Sequence, residues 1–191
     1  KIAENVRKHT STLIFTNTRE FAEILSSRFK TVERLPIGVH HSSLSKEVRI
    51  ETERKLKMGK LKGVIATSSL QLGIDVGSVD LVIQYQSSRQ VTQLLQRVGR
   101  SGHGVKRVSK GLIIAVDEDD LMEAMVIARK ALNNELEKPR MHRNALDVLA
   151  HQIVGMSLEY GRINTKKAYE IVRRAFPYQR LSFSSLSIRP A

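Results

Sequence analysis

Residues 93–103, QLLQRVGRSGH, contain Arg97 and Arg100 three positions apart, with Gly99 and Gly102 close by. Residues three apart lie on one face of a helix, so both arginines can point the same way where the helix ends. A planar guanidinium group binds phosphate oxygens in pairs. The pattern therefore predicts a phosphate-binding helix end. Two solvated arginines on a helix surface are the alternative when this stretch is considered alone.

Two further polar segments follow apolar runs that we interpret as strands. They are TNTR at residues 16–19 and TSSLQLGIDVG at residues 67–77. In open parallel α/β sheets, ligands bind at the carboxyl ends of the strands. We therefore expect these two segments and the arginine-bearing helix end to meet at one edge of a sheet and to form one site.

The elements that must position these residues alternate regularly along the first 117 residues. Short apolar runs alternate with amphipathic segments, which predicts an α/β fold with a parallel sheet covered by helices on both faces. The first helix should bury Phe21, Ile24, Leu25 and Phe29, and the second should run from the N-cap Ser45 to a stop at Gly59. The third predicted helix is QVTQLLQRV at 90–98, and the predicted strands are TLIFTNT at 12–18, PIGVHHS at 36–42, GVIAT at 63–67, DLVIQY at 80–85 and GLIIAV at 111–116.

The pattern becomes mainly helical after Asp117. The acidic stretch DEDDLME at 117–123 opens a helix, where the helix dipole favours carboxylates, so we interpret it as structural rather than as a metal site. Helices are predicted at 121–132, 145–159 and 166–175. Because Pro139 separates the first two, we place domains at 1–138 and 139–191. The end, SFSSLSIRPA, is interpreted as a truncated edge or a disordered tail.

Composition narrows the class of function. Lysine and arginine total 32 against 19 acidic residues, and the resulting charge of +13 favours polyanions as partners, a merely solubilising surface being the alternative. The chain has no cysteine, which suits a reducing compartment, and we expect a cytoplasmic location. Without cysteine or an HxxxH pair of histidines we expect no metal site in this chain. No apolar run is long enough to span a bilayer, so we expect no membrane partner.

The motifs, in their order and spacing, resemble those of superfamily 2 helicases. QRVGRSGH is similar to motif VI, ATSSLQLGID to motif V, TLIFTNTR to motif IV, and VHHSSLS to the motif between them. The chain most resembles the Lhr (large helicase-related) family, in which motif VI often ends in histidine. RNALDVLAHQIVGM and AYEIVRRAFPYQRL are similar to the Lhr region that follows the second motor domain. The resemblance covers residues 11–181 and implies a second RecA-like motor domain followed by the start of a winged-helix domain, truncated at its end.

The resemblance also implies roles for individual residues. Arg100 would act as an arginine finger on the transferring phosphoryl group, with Arg97 also reaching across a cleft towards ATP and Gln96 near the γ-phosphate. The residues implied to contact the nucleotide are Gly73, Asp75 and His103. Those implied to contact the nucleic-acid strand are Asn17, Arg19, His41, Ser43, Thr67 and Ser68. Two departures from the family pattern, Gln71 where glutamate is common and QSSRQ without a proline near Ser88, are interpreted as local variation.

The chain contains no GxxxxGK[ST] phosphate loop and no DExH or DEAD quartet. Phosphoryl transfer requires a phosphate cradle and a metal ion. We therefore expect a piece of a longer ATP-dependent helicase, in which an upstream RecA-like domain of the same protein holds ATP and Mg²⁺. The other partner would be single-stranded nucleic acid, and the resemblance to Lhr favours DNA.

Three other interpretations stay open. A nucleic-acid-binding adaptor could keep the helicase fold without catalysis, and an unrelated phosphate-binding α/β enzyme is a further alternative. Among helicases, RNA-directed DEAD-box proteins are the nearest rival, although they prefer histidine where Gln96 stands.

The isolated chain is expected to show no nucleic-acid-stimulated ATP hydrolysis, because it supplies an arginine finger without a phosphate cradle. The measurement is the rate of ATP hydrolysis by the purified chain with and without single-stranded DNA. Turnover that survives repurification, and that Arg100→Ala abolishes, would contradict this expectation.

Overall fold

The computed structural model describes residues 1–71, 77, 79–102 and 108–186. The chain forms two compact units, Lys1–Glu137 and Lys138–Ala191. The first unit contains strands β1 (Thr12–Phe15), β2 (Ile37–His40), β3 (Gly63–Ala66), β4 (Leu81–Tyr85) and β5 (Gly111–Ile114). Its helices are α1 (Ile2–Lys8), α2 (Arg19–Thr31), α3 (Lys46–Lys57), α4 (Val91–Val98) and α5 (Glu118–Leu132), with a short 3₁₀ helix at Ser68–Leu70.

All five strands are parallel and lie in the order β2-β3-β1-β4-β5. Every residue of β1 and β3 is buried, as expected for central strands of a sheet that is covered on both faces. Helices α1 and α2 pack on one face, through Val6, Ala22 and Phe29. Helix α3 packs on the other face through Leu56, and Val98 of α4 contacts the same cluster. The predicted α/β architecture with helices on both faces is therefore confirmed.

Local chemistry explains where the helices begin and end. The Ser45 hydroxyl accepts from the Val48 amide at the start of α3, and Gly59 beyond its end has a φ of +68°, which suits glycine. Asp117 caps α5 by accepting from the Asp120 amide at 2.8 Å. The acidic stretch is thus a helix start, as predicted.

Several details differ from the sequence expectations. Ile24 is 53% exposed, because α2 turns Ala22, Ser26 and Phe29 towards the sheet instead. Helix α1 was not expected, since its seven residues are too short for a clear period. None of the helices within the described part of the chain is long and apolar enough to cross a membrane.

The second unit is built around two helices, α6 (Leu146–Tyr160) and α7 (Thr165–Val172), with 3₁₀ turns at Phe176–Tyr178 and Phe183–Ser185. Its core contains Leu149, Val172, Tyr178 and Leu181. Helix α7 ends earlier than the expected residue 175, and a 3₁₀ turn with Pro177 in its first turn follows it. The final stretch begins with the 3₁₀ turn Phe183–Ser185. The expected truncated edge or disordered tail falls in part on residues 187–191, which lie outside the described residues.

Candidate nucleotide and nucleic-acid site

The topology brings the motif-bearing segments to one edge of the sheet. Because β3, β1 and β4 are neighbours, the segments that follow them emerge side by side at their carboxyl ends. Helix α4 begins after the connection that leaves β4, and it carries Arg97 in its last turn. The convergence that the sequence predicted is therefore present in the fold.

Arg97 is buried at the centre of this edge, with 4% of its surface exposed. Its guanidinium donates only to amide oxygens, and no carboxylate in the described part of the chain pairs with it. Burial lowers the pKa of Arg97 from its ordinary value, although an arginine stays charged at physiological pH. The partners are Gln71 Oε1 at 3.1 Å, Gln84 Oε1 at 2.7 Å, Gln93 Oε1 at 3.2 Å, a long contact to Asn17 Oδ1 at 3.5 Å, and the face of the Phe15 ring at 5.4 Å.

In this structure the Arg97 guanidinium donates to side chains inside the first unit. Its expected reach across a cleft towards ATP stays a prediction. Arg97 joins Asn17 of motif IV, Gln71 of motif V and its own helix in motif VI through hydrogen bonds. A role in holding the three motifs together fits this geometry, and a direct role for Arg97 in catalysis stays a prediction.

Gln71 is the second residue on which the edge depends, and it is only 7% exposed. Its Oε1 accepts from Arg97, its Nε2 donates to Gln96 Oε1 at 2.6 Å, and its carbonyl accepts from Arg100 Nε at 3.1 Å. Gln71, interpreted from the sequence as local variation, thus lies at the centre of this edge. It contacts all three residues that were predicted to be catalytic.

Donor and acceptor chemistry fixes the orientation of the Gln71 side-chain amide, and through it that of Gln96. A guanidinium group has no acceptor, so Gln71 must turn its oxygen towards Arg97 and its nitrogen towards Gln96. Gln96 must then accept with its oxygen, which leaves its amide nitrogen available on an exposed side chain. An amide nitrogen is a donor, as a phosphate oxygen requires.

Arg100 is half-buried just beyond the end of α4. Its Nε donates to the same residue as Arg97 does, so the two arginines face the same neighbour, as their spacing predicted. Gly102 has a φ of +81°, a conformation that favours glycine, and lets the chain turn after the arginine. The predicted nucleotide contacts Gly73, Asp75 and His103 lie outside the described residues.

Most of the predicted strand-binding residues are accessible at the same edge. Arg19 hydrogen-bonds to the hydroxyl of Ser43, and both side chains are exposed. Ser68 is exposed and Thr67 is half-buried. A cavity of about 410 Å³ opens here, and its walls include Asn17, Ser68 and Arg97.

His41, also predicted to contact the strand, is only 4% exposed, and that role stays a prediction. Its Nε2 bonds to Glu23 of α2 at 2.8 Å. His40 instead bonds to Glu53 of α3 at 2.9 Å and to Ser69 at 2.7 Å, so the adjacent histidines face opposite sides of the sheet. Burial lowers the pKa of His40, although Glu53 opposes that shift. The two histidines therefore help to hold motif V, through Ser69, and helix α2, through Glu23, in place.

The connection between β4 and α4 is held in an unusual backbone conformation. Gln86 and Arg89 have φ values of +65° and +62°, which side chains other than glycine rarely adopt. The Ser87 amide donates to Asp120 at 2.6 Å, and the Ser87 carbonyl accepts from Asn17 at 2.8 Å. These bonds hold the strained connection that leads into the arginine-bearing helix.

Sequence reasoning missed Gln71, Gln84, Asp120 and Glu137 as residues that support this edge. Gln84 offered a signal, since it is a polar side chain in an otherwise apolar strand. The described part of the chain contains no group of three or more histidine, cysteine or acidic side chains that could hold a metal ion.

The fold and this edge define a RecA-like helicase motor domain with its motif segments at the carboxyl ends of the strands. The chain belongs to the helicase conserved C-terminal domain family, which matches residues 1–104. Residues 129–188 match the winged helix domain of large helicase-related proteins. The resemblance to Lhr proteins is thereby confirmed.

Individual relatives agree with this assignment. The chain is 47% identical to the ATP-dependent helicase Lhr-Core protein 2 of Thermococcus barophilus, over 96% of this chain and 21% of that protein. It is 39% identical to the Lhr helicase/uracil glycosylase of Escherichia coli, over 94% of this chain and 14% of that protein. The structure of Mycobacterium smegmatis helicase Lhr bound to ssDNA and AMP-PNP superposes with a TM-score of 0.91 at 38% identity, over 97% of this chain and 25% of that one. The chain therefore spans between 14% and 25% of the length of these relatives.

Replacing Gln71 by leucine should destabilise the first unit by about 1–3 kcal/mol, because it removes the acceptor for a buried guanidinium donor. Native-state hydrogen exchange of the β1 and β4 amides would measure the loss. Gln96→Leu is the control, since Gln96 is exposed and should cost about 0.5 kcal/mol or less. Equal losses for the two variants would show that Gln71 does not have the central position we assign to it.

Proposed function

We propose that this chain is the second motor domain of an ATP-dependent helicase of the Lhr type, together with the start of its winged-helix domain. It supplies motifs IV, V and VI to an ATP site that a first RecA-like domain of the same protein completes. The observation that carries the proposal is the buried network in which Arg97 hydrogen-bonds to Asn17 and Gln71, residues of the other two motifs. Such a network holds three motifs as one unit beside Arg100.

The side chains at this edge suit a nucleotide polyphosphate. When bound, ATP supplies the phosphoryl group that is transferred, and the Mg²⁺ that accompanies it would be held by the first domain. Arg100 brings a permanent positive charge, which stabilises charge on the equatorial oxygens of that group. Gln96 offers an amide donor whose direction is set by Gln71.

The same edge suits a single-stranded nucleic-acid backbone. Arg19, Ser43, Thr67 and Ser68 offer one cation and three hydroxyls, and the chain carries a net charge of +13. Aromatic residues make up only 5% of the chain, which favours backbone contacts over base stacking. The mycobacterial Lhr structure holds ssDNA, and this likeness supports DNA as the partner of this chain.

A non-catalytic adaptor is not favoured, because the curated relatives are described as helicases. A cytoplasmic location stays a proposal.

In the full-length protein, Arg100→Ala should lower DNA-stimulated ATP turnover on the order of 10³-fold or more while changing nucleotide affinity little, because the contact is made mainly in the transition state. Arg100→Lys should restore little, since a point charge cannot make the bidentate contact. The measurement is kcat and KM for ATP with and without single-stranded DNA.

Arg54→Ala is the matched control for this experiment. It also removes one arginine, but Arg54 lies on α3 and its side chain bonds, among the described residues, only to Glu51 of the same helix. It should leave turnover near the wild-type value. If Arg100→Ala keeps near-normal stimulated turnover as well, the finger assignment is wrong.

The isolated chain should bind single-stranded DNA weakly, with little sequence preference and with an affinity that falls as salt rises. Arg19→Ala should reduce the slope of log affinity against log salt by about 0.7, the value for one lost phosphate contact on a single strand. Titrations of a labelled oligonucleotide at several salt concentrations measure the slope, with Arg54→Ala again as control. An affinity that does not depend on salt would exclude a surface that follows the phosphate backbone.

A further inference from the structure

The helix that carries motif VI has no N-terminal cap of its own. The side chain of its N-cap residue, Gln90, accepts from the Gln93 side chain at 3.0 Å but from no backbone amide of the first turn. The first amides of a helix have no partner within the helix, so they need acceptors from elsewhere. A distant carboxylate provides them, because Glu137 Oε1 accepts from the Val91 amide at 2.5 Å and Glu137 Oε2 accepts from the Thr92 amide at 3.1 Å.

The chemistry of this contact favours the ionised carboxylate. Hydrogen bonds from the Val91 amide, and further ones from the Thr92 amide, lower the pKa of Glu137 to about 2. The carboxylate also lies at the positive end of the helix dipole. Since the pKa is depressed in the folded state, the contact stabilises the fold above the ordinary glutamate pKa and is lost as the pH falls towards 2. At neutral pH it is fully present.

The contact also matters because of where Glu137 lies in the chain. Glu137 is the last residue of the first compact unit, and the second unit begins at Lys138. The segment that leads into the second unit is therefore bonded to the first turn of α4. Val91 and Arg97 lie six residues apart on this one helix, which places them about 9 Å apart along its axis.

We propose that Glu137 is a positioning residue whose carboxylate ties the segment leading to the second unit to the helix that carries Gln96 and Arg97. A displacement of that segment then moves or releases the first turn of α4, and the helix passes the change to the motif VI side chains. The position of the chain at Glu137 is thereby coupled to the motif VI helix through this carboxylate. This inference rests on the proposed function, because motif VI matters for turnover only if the chain is part of a helicase motor.

A variant that caps α4 from position 90 instead of from Glu137 separates the positioning role from a simpler role as a helix cap. Gln90 has a φ of −141° and a ψ of 140°, the extended conformation that an N-cap residue adopts. Aspartate at this position can accept from the amides of the first turn. The double variant Glu137→Ala with Gln90→Asp therefore restores a capped helix without restoring the tie to the second unit.

The experiment uses the full-length protein and measures three quantities: the melting temperature, the DNA-stimulated rate of ATP hydrolysis, and the unwinding rate per ATP hydrolysed. Glu137→Ala should lower all three. The double variant should recover the melting temperature but keep unwinding per ATP reduced by about 2- to 30-fold, the range for a lost coupling contact. Glu137→Gln should be intermediate, because an amide has one acceptor oxygen where the carboxylate has two.

Glu135→Ala is the matched control, because the side chain of this neighbouring acid bonds, within the described residues, only to the side chain of Asn133, at 3.1 Å. Gln90→Asp alone should match the wild type in unwinding per ATP. Full recovery of unwinding in the double variant would reduce Glu137 to a helix cap and overturn the proposal, as would a Glu137→Ala variant that matches the wild type. If the wild-type protein does not hydrolyse ATP, the proposed function itself fails, and this outcome is recognised before any variant is compared.

Discussion

The edge of the sheet that carries the helicase motifs depends on one buried positive charge, that of Arg97, which is surrounded by neutral acceptors. A charged group inside a protein is costly unless its donors are satisfied, and Arg97 meets this requirement with amide oxygens and the face of Phe15. Each acceptor comes from a different part of the unit: Gln84 from β4, Gln71 from the segment after β3, and Gln93 from the helix itself. Because removal of any one partner leaves a buried donor unsatisfied, the network holds these segments in one arrangement.

The neutrality of those acceptors has a consequence for ligand binding. A glutamate at position 71 would pair with Arg97 and cancel its charge, whereas Gln71 satisfies the guanidinium and leaves the positive charge in place. The amide also has a direction, so that Gln96 is left with a donor available. Charge and hydrogen-bond polarity at the edge therefore both suit an anion, and both follow from the same buried contact.

Acidic residues remote in sequence support this arrangement from outside. Asp120 bonds to the connection that precedes α4, and Glu137 bonds to the first turn of that helix. Both belong to the region from α5 to the end of the first unit, which contributes no motif of its own. The acidic side chains of this region thus position the motif VI helix through its backbone, rather than binding a ligand.

The sequence by itself determined the α/β class, the five strands, the helix starts at Ser45 and Asp117 and the motif segments, because these depend on local periodicity, capping and spacing. It also identified the family, since motif order is a property of the chain. It could not reveal that Arg97 and His41 are buried or that Gln71 joins the motif VI side chains, because those facts depend on which segments meet across the sheet. The contact between Glu137 and Val91 joins residues 46 positions apart, and only the tertiary structure decides whether such a distant carboxylate reaches a helix that lacks its own cap.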